Sequence, residues 1–378
     1  MLLVYALVCL AIVALPAAMT AVNLRLYRPP PPDPAPDDDR PWLAVCIPAR
    51  DEADNIEACA RGVLEGDDER TRVYVYDDES TDATPEILAR LTAETDRVRL
   101  APQVPLPEGW NGKQHACWRC AQAALDDGCG WLLFTDADVR FSPDMARRSR
   151  AAAAQLGADL VSTFPRQLTG TLSEALLVPV MFYLLLGYLP FARMRGTPDP
   201  AASAGCGQFL MVSAEAYRAF GGHEAFKATM HDGIRMPRAA RQAGKRTDLF
   251  DGTDIARVRM YRGFGESWRG FAKNAFEGLG SVGLLIFLSV MHLVGHVGPW
   301  IALAYAIGGG WWFAAALLLV AGLVPIVSRL VIAKRLRHSP VGALLHPVSI
   351  LLTTAVQWHS WWLARRGRRA WRGRVQAA

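Results

Sequence analysis

The stretch Trp131-Leu-Leu-Phe-Thr-Asp-Ala-Asp138 decides how this chain is interpreted. An apolar run of strand length leads directly into two carboxylates that are one residue apart. In extended backbone, residues i and i+2 point the same way, so Asp136 and Asp138 would face one spot just past the strand. Hard cations such as Mg²⁺ or Mn²⁺ bind carboxylates together with substrate phosphates. The motif therefore predicts a metal–diphosphate site, although an Asp-x-Asp pair taken alone also fits a solvated turn.

Two more strand-like segments end in acidic residues. The apolar segment 43–48 leads to the acidic pair 51–52, and the segment 73–76 leads to the pair 77–78. Helical patterns separate these segments, which predicts an α/β fold with a mostly parallel sheet. Ligands of such sheets bind outside the carboxyl ends of the strands. Acidic residues at three strand ends therefore predict one site at that edge.

Apolar residues are distributed unevenly along the chain. The 378 residues are 51% hydrophobic and 20% charged, yet segments 1–24 and 280–363 contain no acidic residue. This split predicts a soluble domain flanked by membrane segments. Segment 1–24 has the length of a bilayer span, and it lacks the basic start of a cleaved signal peptide. Arg25 and Arg28 follow it, which predicts an outside N-terminus and a cytoplasmic catalytic domain.

The remaining organisation is predicted from composition. The predicted segments are a proline-rich linker at 25–40, an apolar helix at 172–194, an amphipathic helix at 264–279, a transmembrane region of two or three helices at 280–363, and a basic cytoplasmic tail at 364–378. The 172–194 helix is expected to be interfacial or re-entrant. The 264–279 helix is either core-facing or interfacial, and its position beside a membrane run favours the interface. The last apolar stretch, 341–363, either crosses the membrane or enters it and returns to the same side.

Charge, cysteine and histidine usage argue against other site classes. The basic clusters behind the net charge of +5 border apolar runs, which indicates membrane anchoring rather than nucleic-acid binding. Cys117 and Cys120 form a lone Cys-x-x-Cys, so reduced thiols on a helix are expected rather than zinc. The histidines 115, 223, 292 and 296 share no ligand spacing.

Three motifs together resemble the inverting family 2 glycosyltransferases, which have the GT-A fold. They are Ile47-Pro-Ala-Arg-Asp-Glu-Ala-Asp-Asn-Ile56, Asp77-Asp-Glu-Ser-Thr-Asp82 and Thr135-Asp-Ala-Asp138. The resemblance covers about Trp42 to Leu279 and implies a Rossmann-like GT-A domain at 41–263.

The resemblance also implies residue roles. It assigns nucleotide-sugar binding to Pro48, Ala49, Arg50, Glu52, Asp77, Asp78 and Asp136, and metal binding to Asp138 with Asp136. A Mg²⁺ or Mn²⁺ ion would neutralise the leaving nucleoside diphosphate. Inverting transfer also needs a general base, and His231-Asp232-Gly233 is the segment that matches, with Asp232 as base. His231 replaces the acid usual there, so Asp232 as a simple helix cap is the alternative.

The later part of the chain departs from processive members of the family. Their Gln-x-x-Arg-Trp string is absent, and Arg259-Met-Tyr-Arg262 followed by Trp268 occupies that region. This pattern is similar to lipid-linked members associated with hopanoids and carotenoids. Arg259 or Arg262 would bind the diphosphate or, alternatively, lipid headgroups. Lys113 of Trp110-Asn-Gly-Lys113 would reach a phosphate or be a solvated lysine.

The function expected from this resemblance is transfer of a sugar from a nucleotide-sugar donor, a UDP-sugar first of all. The acceptor would be a lipid or polyprenyl-type carrier, and the enzyme a multi-pass protein of the inner cell membrane. The alternative is an inactive GT-A-like membrane partner of another synthase, supported by His231. A nucleotidyltransferase is disfavoured because Arg50-Asp-Glu-Ala-Asp54 is acidic and lacks glycine.

Overall fold

The chain folds into two compact units in the computed structural model. The structure describes residues 1–31, 40–366, 370–371 and 374–375. The sheet unit comprises the described residues of Tyr27–Arg166 and Ala192–Val258. The helical unit comprises Met1–Leu26, Gln167–Phe191 and the helices from Arg259 onward.

Strands and helices alternate through the sheet unit, as the sequence predicts. The strands are β1 (Leu43–Ala49), β2 (Thr71–Asp77), β3 (Val98–Leu100), β4 (Trp131–Phe134), β5 (Arg140–Phe141), β6 (Leu160–Ser162), β7 (Arg166–Gln167), β8 (Leu210–Ser213), β9 (Thr247–Leu249), β10 (Ala256–Val258), β11 (Ala370–Trp371) and β12 (Arg374–Val375). The helices are α1 (Leu2–Leu26), α2 (Ile56–Leu64), α3 (Thr84–Glu94), α4 (Gly112–Asp126), α5 (Met145–Leu156), α6 (Leu172–Leu177), α7 (Val180–Tyr188), α8 (Phe191–Gly196), α9 (Ala214–Ala219), α10 (Asp232–Gln242), α11 (Gly263–Ala272), α12 (Ala275–Leu279), α13 (Val282–His292), α14 (Gly298–Gly308), α15 (Trp312–Arg335), α16 (Val341–Leu344) and α17 (His346–Arg365). A 3₁₀ helix covers Gly222–Phe226, and a π-helical turn covers Leu293–Val297.

The main sheet is mostly parallel, in the order β3–β2–β1–β4–β8–β6–β9. β1 lies between β2 and β4 and is parallel to both, whereas β8 runs antiparallel between β4 and β6. All seven residues of β1 are buried. A continuous apolar strand of this kind is typical of a sheet covered on both faces. The predicted α/β fold with a mostly parallel sheet is therefore confirmed.

Successive residues of the central strands pack into two cores on opposite faces of the sheet. Val45 and Leu133 belong to one core, and Cys46 and Phe134 belong to the other. This alternation follows from the two-residue period of a strand. The second core also holds the thiols of α4, and all seven cysteines of the chain are free and buried. Cys117 and Cys120 thus lie on one helix, with both thiols buried in this core.

The register of the sheet brings the predicted acidic strand ends to one edge. Ala49 pairs with Asp77, and Cys46 pairs with Phe134. Because β1, β2 and β4 are parallel, the residues that follow them leave the sheet at the same side. The edge where the sequence predicts a site therefore carries segments 50–52, 77–78 and 135–138.

The helical unit contains three helices that are long and apolar enough to cross a membrane. They are Leu2–Leu26, Val282–Gly308 and Trp312–Arg335, and the second includes the π-helical turn. Their small residues pack closely, with Ala6 and Cys9 of α1 in one cluster with Leu318 and Ala321 of α15. The turn between the last two spans falls at Gly309–Gly310.

Two predicted helices are divided in the structure. The 172–194 segment forms α6, α7 and α8, because Pro179 and Pro190 interrupt it. The 264–279 segment forms α11 and α12, with Lys273 and Asn274 between them. Proline lacks an amide hydrogen and clashes with the preceding turn, which explains the first division.

The aromatic face of α11 is mainly core-facing. Trp268 and Phe271 pack in a cluster with Val356 of α17, and Trp268 Nε1 donates to His359 Nδ1 at 2.9 Å. Phe264 remains 51% exposed. Most of this face is therefore core-facing, and Phe264 is the aromatic residue of α11 that is exposed enough to contact a membrane interface.

The remaining domain predictions differ in position or lie outside the described residues. The helical unit takes in residues 167–191 and starts again at Arg259, earlier than the predicted boundary at 264. The stretch 341–363 forms α16 and α17, which meet at Leu345. Half of the linker at 25–40, residues 32–39, and just over half of the tail at 364–378 fall outside the described residues.

Candidate active site

The acidic residues after β4 lie around one lysine. Lys113 Nζ lies 2.8 Å from Asp136 Oδ1 and 3.1 Å from Asp232 Oδ2. Lys113 is in the first turn of α4, where Asn111 Oδ1 accepts from its backbone amide at 3.0 Å. Asp232 begins α10. The structure therefore joins the predicted base to the predicted Asp-x-Asp motif through a positive charge.

Asp138 has a carboxylate oxygen, Oδ1, that is buried and without a hydrogen-bond partner among the described residues. Burial raises the pKa of Asp138 to about 7, and the negative charges of Asp136 and Glu52 add to this effect. A buried carboxylate is costly unless a proton or cation compensates it. The position therefore fits a bound cation.

The donor set at this position consists of oxygens, which hard cations such as Mg²⁺ and Mn²⁺ prefer. Within the part of the chain that the structure describes, no group of three or more His, Cys, Asp or Glu side chains forms a metal site. Asp136 and Asp138 would thus supply part of a coordination shell, and a diphosphate and water would supply the rest.

Arg50 and Asp78 are brought together beyond β1 and β2. Arg50 Nη1 donates to Asp78 Oδ2 at 3.3 Å and also to the Asp78 carbonyl oxygen. The Asp78 amide donates to the Ala49 carbonyl at 2.8 Å, and Asp78 is 3% exposed. Arg50 keeps further donors on its planar guanidinium. Arg50 and Asp78 can therefore hold a ribose or a phosphate just beyond Pro48, at the end of β1.

Other predicted residues of this edge organise its loops. Asp77 Oδ1 accepts from the Ser80 amide at 3.1 Å and from Ser80 Oγ at 2.5 Å, which closes the turn after β2. Glu52 donates its amide to Thr84 Oγ1 at 2.9 Å and accepts from Asn55 Nδ2 at 3.1 Å. Their side chains therefore hold the loops, and their predicted contact with a nucleotide remains a prediction.

Asp232 lies in a cradle made by two glycines. A β-carbon on Gly207 would lie 2.8 Å from Asp232 Cγ, and one on Gly233 would lie 2.5 Å from the Gly205 carbonyl oxygen. Such approaches are closer than real side chains allow. The backbone of Gly205-Cys-Gly-Gln208 thus approaches the start of α10 closely, and Gly207 fixes the position of the carboxylate.

The charge state of Asp232 is set by its neighbours. Burial raises the pKa of this carboxyl, but the positive charge and hydrogen bond of Lys113, with smaller contributions from His231 and His223, outweigh burial and lower it. His231, which replaces the acid usual at this position, thus adds to the lowering of the pKa of Asp232. Asp232 is therefore an ionised carboxylate that can accept a proton.

Replacing Gly207 by alanine tests whether the cradle positions Asp232. The new β-carbon would press on the carboxylate, and displacements of about 1 Å can cost about 100-fold in rate. We expect Gly207→Ala to lower kcat by roughly 10- to 100-fold in a steady-state transfer assay. Gly62→Ala is the matched control because no heavy atom lies within 4 Å of its added carbon. Equal kcat for Gly207→Ala and wild type would contradict the positioning role.

The two arginines predicted to bind the diphosphate, Arg259 and Arg262, both belong to the helical unit, whose last part begins at Arg259. Arg259 Nε and Nη2 each lie 3.1 Å from a carboxylate oxygen of Glu174, which is fully buried. Arg262 precedes α11, and its backbone amide donates to Glu266 Oε2 at 2.8 Å. Arg259 thus has a structural partner that the sequence did not predict, and its contact with a diphosphate remains a prediction.

Residues 44–219 match the sequence profile of the family described as glycosyl transferase family 2. The protein is a glycosyltransferase. The matched segment of the glycosyltransferase contains β1, β2, β4, Lys113 and the Asp-x-Asp motif. Asp232 lies beyond the matched segment.

Solved structures support the same fold. A mannosyltransferase of Pyrobaculum calidifontis in complex with GDP-Man and Mn²⁺ is 21% identical, with a TM-score of 0.59 over 96% of this chain and 99% of that chain. This likeness shows the GT-A fold.

A weaker match is S. aureus TarS 1–349 in complex with UDP-GlcNAc, which is 14% identical with a TM-score of 0.42 over 86% of this chain and 92% of that chain. Another is Mycobacterium tuberculosis glucosyl-3-phosphoglycerate synthase with Mn²⁺ and UDP-glucose, which is 19% identical with a TM-score of 0.38 over 63% of this chain and 80% of that chain. The comparison with curated proteins gave no match.

The glycosyltransferase site also contains a residue that the sequence did not predict. His223 is fully buried near Asp232, and its Nδ1 lies 2.7 Å from Tyr217 Oη. Burial lowers the pKa of His223 to about 3, so the ring is neutral. The sequence signal that could have found it is the preceding pair Gly221-Gly222. In the structure both glycines have positive φ, and Gly222 lies against the Tyr217 ring.

Proposed function

We propose that the protein transfers a sugar from a nucleotide-sugar donor to a hydroxyl group of a lipid or lipid carrier, with inversion, at the cytoplasmic face of a membrane. The observation that carries the proposal is the joining of Asp136 and Asp232 through Lys113 at the carboxyl edge of the sheet. This arrangement supports the proposal, in which the Asp-x-Asp motif binds the diphosphate of the donor and the base beside it reaches the acceptor hydroxyl.

Each residue of the site has a part in this reaction. Arg50 and Asp78 hold the nucleoside, and Asp136 and Asp138 hold a Mg²⁺ or Mn²⁺ ion, which would neutralise the charge of the leaving diphosphate. Asp232 accepts the proton of the acceptor hydroxyl as that oxygen attacks the anomeric carbon. Gly207 lies against the carboxylate, and the close contact of Gly233 with Gly205 holds the start of α10 beside it.

Lys113 keeps Asp232 ready to accept that proton. Its charge lowers the pKa of Asp232 against the effect of burial. It also contacts Asp136, so binding of a cation and diphosphate at Asp136 would change the position of the ammonium group. Lys113 therefore links donor binding to the base.

Replacing Lys113 by methionine is expected to move the acidic limb of the pH–rate profile to higher pH. Without the ammonium group, burial raises the pKa of Asp232, so the base is protonated, and inactive, over a wider acidic range. The loss of kcat should thus be greater at pH 5.5 than at pH 8. Lys113→Arg, which keeps the charge, should leave the limb near its wild-type position. An unchanged limb in Lys113→Met would contradict this role.

The proposed membrane location is supported by the three apolar helices and their basic ends. Arg25 lies in the last turn of α1, and Lys334 and Arg335 lie in the last turn of α15. Basic residues favour the cytoplasmic side. If the N-terminus is outside and the last two spans form an in–out–in hairpin, the basic ends of α1 and α15 both lie on the cytoplasmic side. The sheet unit, which follows α1, then lies on that side too.

A donor screen tests the function. Membranes containing the full chain would be incubated with Mn²⁺ and a panel of labelled UDP- and GDP-sugars, and both released nucleotide and label in the organic extract would be measured. We expect one donor to give both signals, and Asp232→Asn membranes to give neither. Nucleotide release without labelled lipid would contradict the lipid acceptor. Absence of both with every donor would favour an inactive partner of another synthase.

A further inference from the structure

The helical unit holds a buried polar cluster that sugar transfer does not use. It comprises Tyr183 of α7, His296 of the π-helical turn, Arg329 of α15 and His346 of α17. Tyr183 and the two histidines are fully buried, and Arg329 is 3% exposed. Ionisable residues inside a bundle of apolar helices are costly, and they commonly mark a functional site.

The hydrogen bonds of the cluster run in one direction. Arg329 Nη1 donates to His346 Nδ1 at 3.3 Å, since a guanidinium has no acceptor. His346 therefore carries its proton on Nε2, which lies 2.9 Å from His296 Nδ1. His296 then carries its proton on Nε2. The chain of donors thus ends on a buried N–H that needs an acceptor.

Several buried polar atoms of this cluster are unpartnered among the described residues. They are Arg329 Nη2, His296 Nε2 and the Tyr183 hydroxyl oxygen. Arg329 Nη2 and His296 Nε2 can only donate in this arrangement. A buried donor without an acceptor costs about 1–3 kcal/mol, and more when it is charged.

No acidic side chain in the described part of the chain forms an ion pair with Arg329. The acidic residues of the helical unit are Glu174, Glu266 and Glu277. Glu174 is held by Arg259 and by the amides of Gly170 and Gly263. Because arginine stays protonated in proteins, the cluster carries a positive charge that an external anion would balance.

The surroundings of Arg329 indicate where that anion comes from. Arg329 lies six residues before Arg335, the last residue of α15, which is about 9 Å along the helix axis. A cavity of about 10 Å³ adjoins Arg329, His338 and Ser339, just past this basic end. That space takes about one water-sized atom, such as one oxygen of a phosphate group.

The π-helical turn holds His296 in this position. Tyr5 Oη and Cys9 Sγ of α1 contact the Val294 carbonyl oxygen at 3.4 and 3.3 Å. A β-carbon on Gly295 would clash with Ile12, so the turn lies directly against α1. Single π-turns inside helices are frequent at functional sites.

We propose that Arg329 binds the phosphate group of an anionic membrane lipid through Nη2, while His346 and His296 hold the guanidinium in place. The proposal rests on the proposed membrane location, but it does not depend on sugar transfer. A lipid phosphate supplies both the negative charge and the acceptor oxygens that the cluster lacks. It also arrives from the membrane, and the cavity beside Arg329 is lined by His338 and Ser339, which follow the basic end of α15.

Thermal unfolding of the full chain in dodecylmaltoside micelles tests the site, with the 12 tryptophans as the fluorescence signal. Dioleoyl phosphatidic acid, dioleoyl phosphatidylcholine and inorganic phosphate would each be titrated. We expect phosphatidic acid to raise the Tm of the wild type saturably. Arg329→Met should need at least about tenfold more of it, and Lys334→Met, which removes an exposed charge of the same helix, should respond within about twofold of wild type.

Two further results separate this site from a structural cluster. Without anionic lipid, Arg329→Met should be at least as stable as wild type, because an unbalanced buried charge is removed. Arg329→Lys, which keeps the charge but loses the planar fork, should weaken the response several-fold. Equal responses of the variants and wild type, or a less stable Arg329→Met without lipid, would overturn the proposal. An equal effect of inorganic phosphate would assign the site to free phosphate instead.

Discussion

Replacing Asp232 by asparagine is expected to lower the rate of sugar transfer by about 10²- to 10⁴-fold, which is the range for loss of a general base. The amide has the shape of the carboxylate and fits the cradle of Gly207 and Gly233, but it accepts no proton. Donor binding should change little because the Asp-x-Asp motif is intact. Steady-state transfer in membranes, together with calorimetry of nucleotide binding, measures both quantities.

A surface carboxylate provides the control for this variant. Asp96 is exposed, and Asp96→Asn should transfer sugar at the wild-type rate. If Asp232→Asn kept more than about a tenth of the wild-type rate, Asp232 would be a helix cap and the base would have to be sought elsewhere.

Replacing Asp138 by asparagine should have opposite effects on activity and on stability. Loss of a metal ligand is expected to lower transfer by about 100-fold or more, since a bound metal contributes several kcal/mol of charge stabilisation in the transition state. Without metal, however, the variant should be more stable than wild type above neutral pH. The reason is that it removes a buried carboxylate with an unpartnered oxygen.

The pH dependence of that stability follows from the pKa of Asp138, which burial raises to about 7. A carboxyl whose pKa is higher in the folded state binds more protons when folded, so its contribution to stability falls as pH rises from about 4 to about 7. Thermal unfolding of metal-free wild type and Asp138→Asn between pH 5 and pH 8 measures the difference. A gap in Tm that does not widen toward pH 8 would contradict the assignment.

The fold could be predicted because its signals are local and repeated. Each of β1, β2 and β4 is an apolar run that leads into acidic residues, and parallel pairing then fixes a common edge. The spans Leu2–Leu26 and Trp312–Arg335 were predictable from length and composition alone. The divisions at Pro179 and Pro190 were visible as breaks, but which unit each piece joins depends on packing.

The contacts between distant residues could not be predicted from the sequence. Nothing local connects Lys113 with Asp232, or Arg259 with Glu174, because each pair forms only when segments that are distant in the sequence pack together. The histidines at 292 and 296 were set aside since they show no ligand spacing. His296 gains its role from His346 and Arg329, which two other helices supply.

Calorimetry of nucleoside diphosphate binding tests the central claim most directly, with UDP and GDP each titrated into the purified full chain with and without Mn²⁺. If Asp136 and Asp138 hold a cation on the diphosphate, wild type and Asp232→Asn should bind one of the two nucleotides equally, and only when Mn²⁺ is present. Asp138→Asn should then bind it at least about 100-fold more weakly, a difference of about 2.7 kcal/mol. Binding that is as tight without Mn²⁺, or that Asp138→Asn leaves unchanged, would contradict the account.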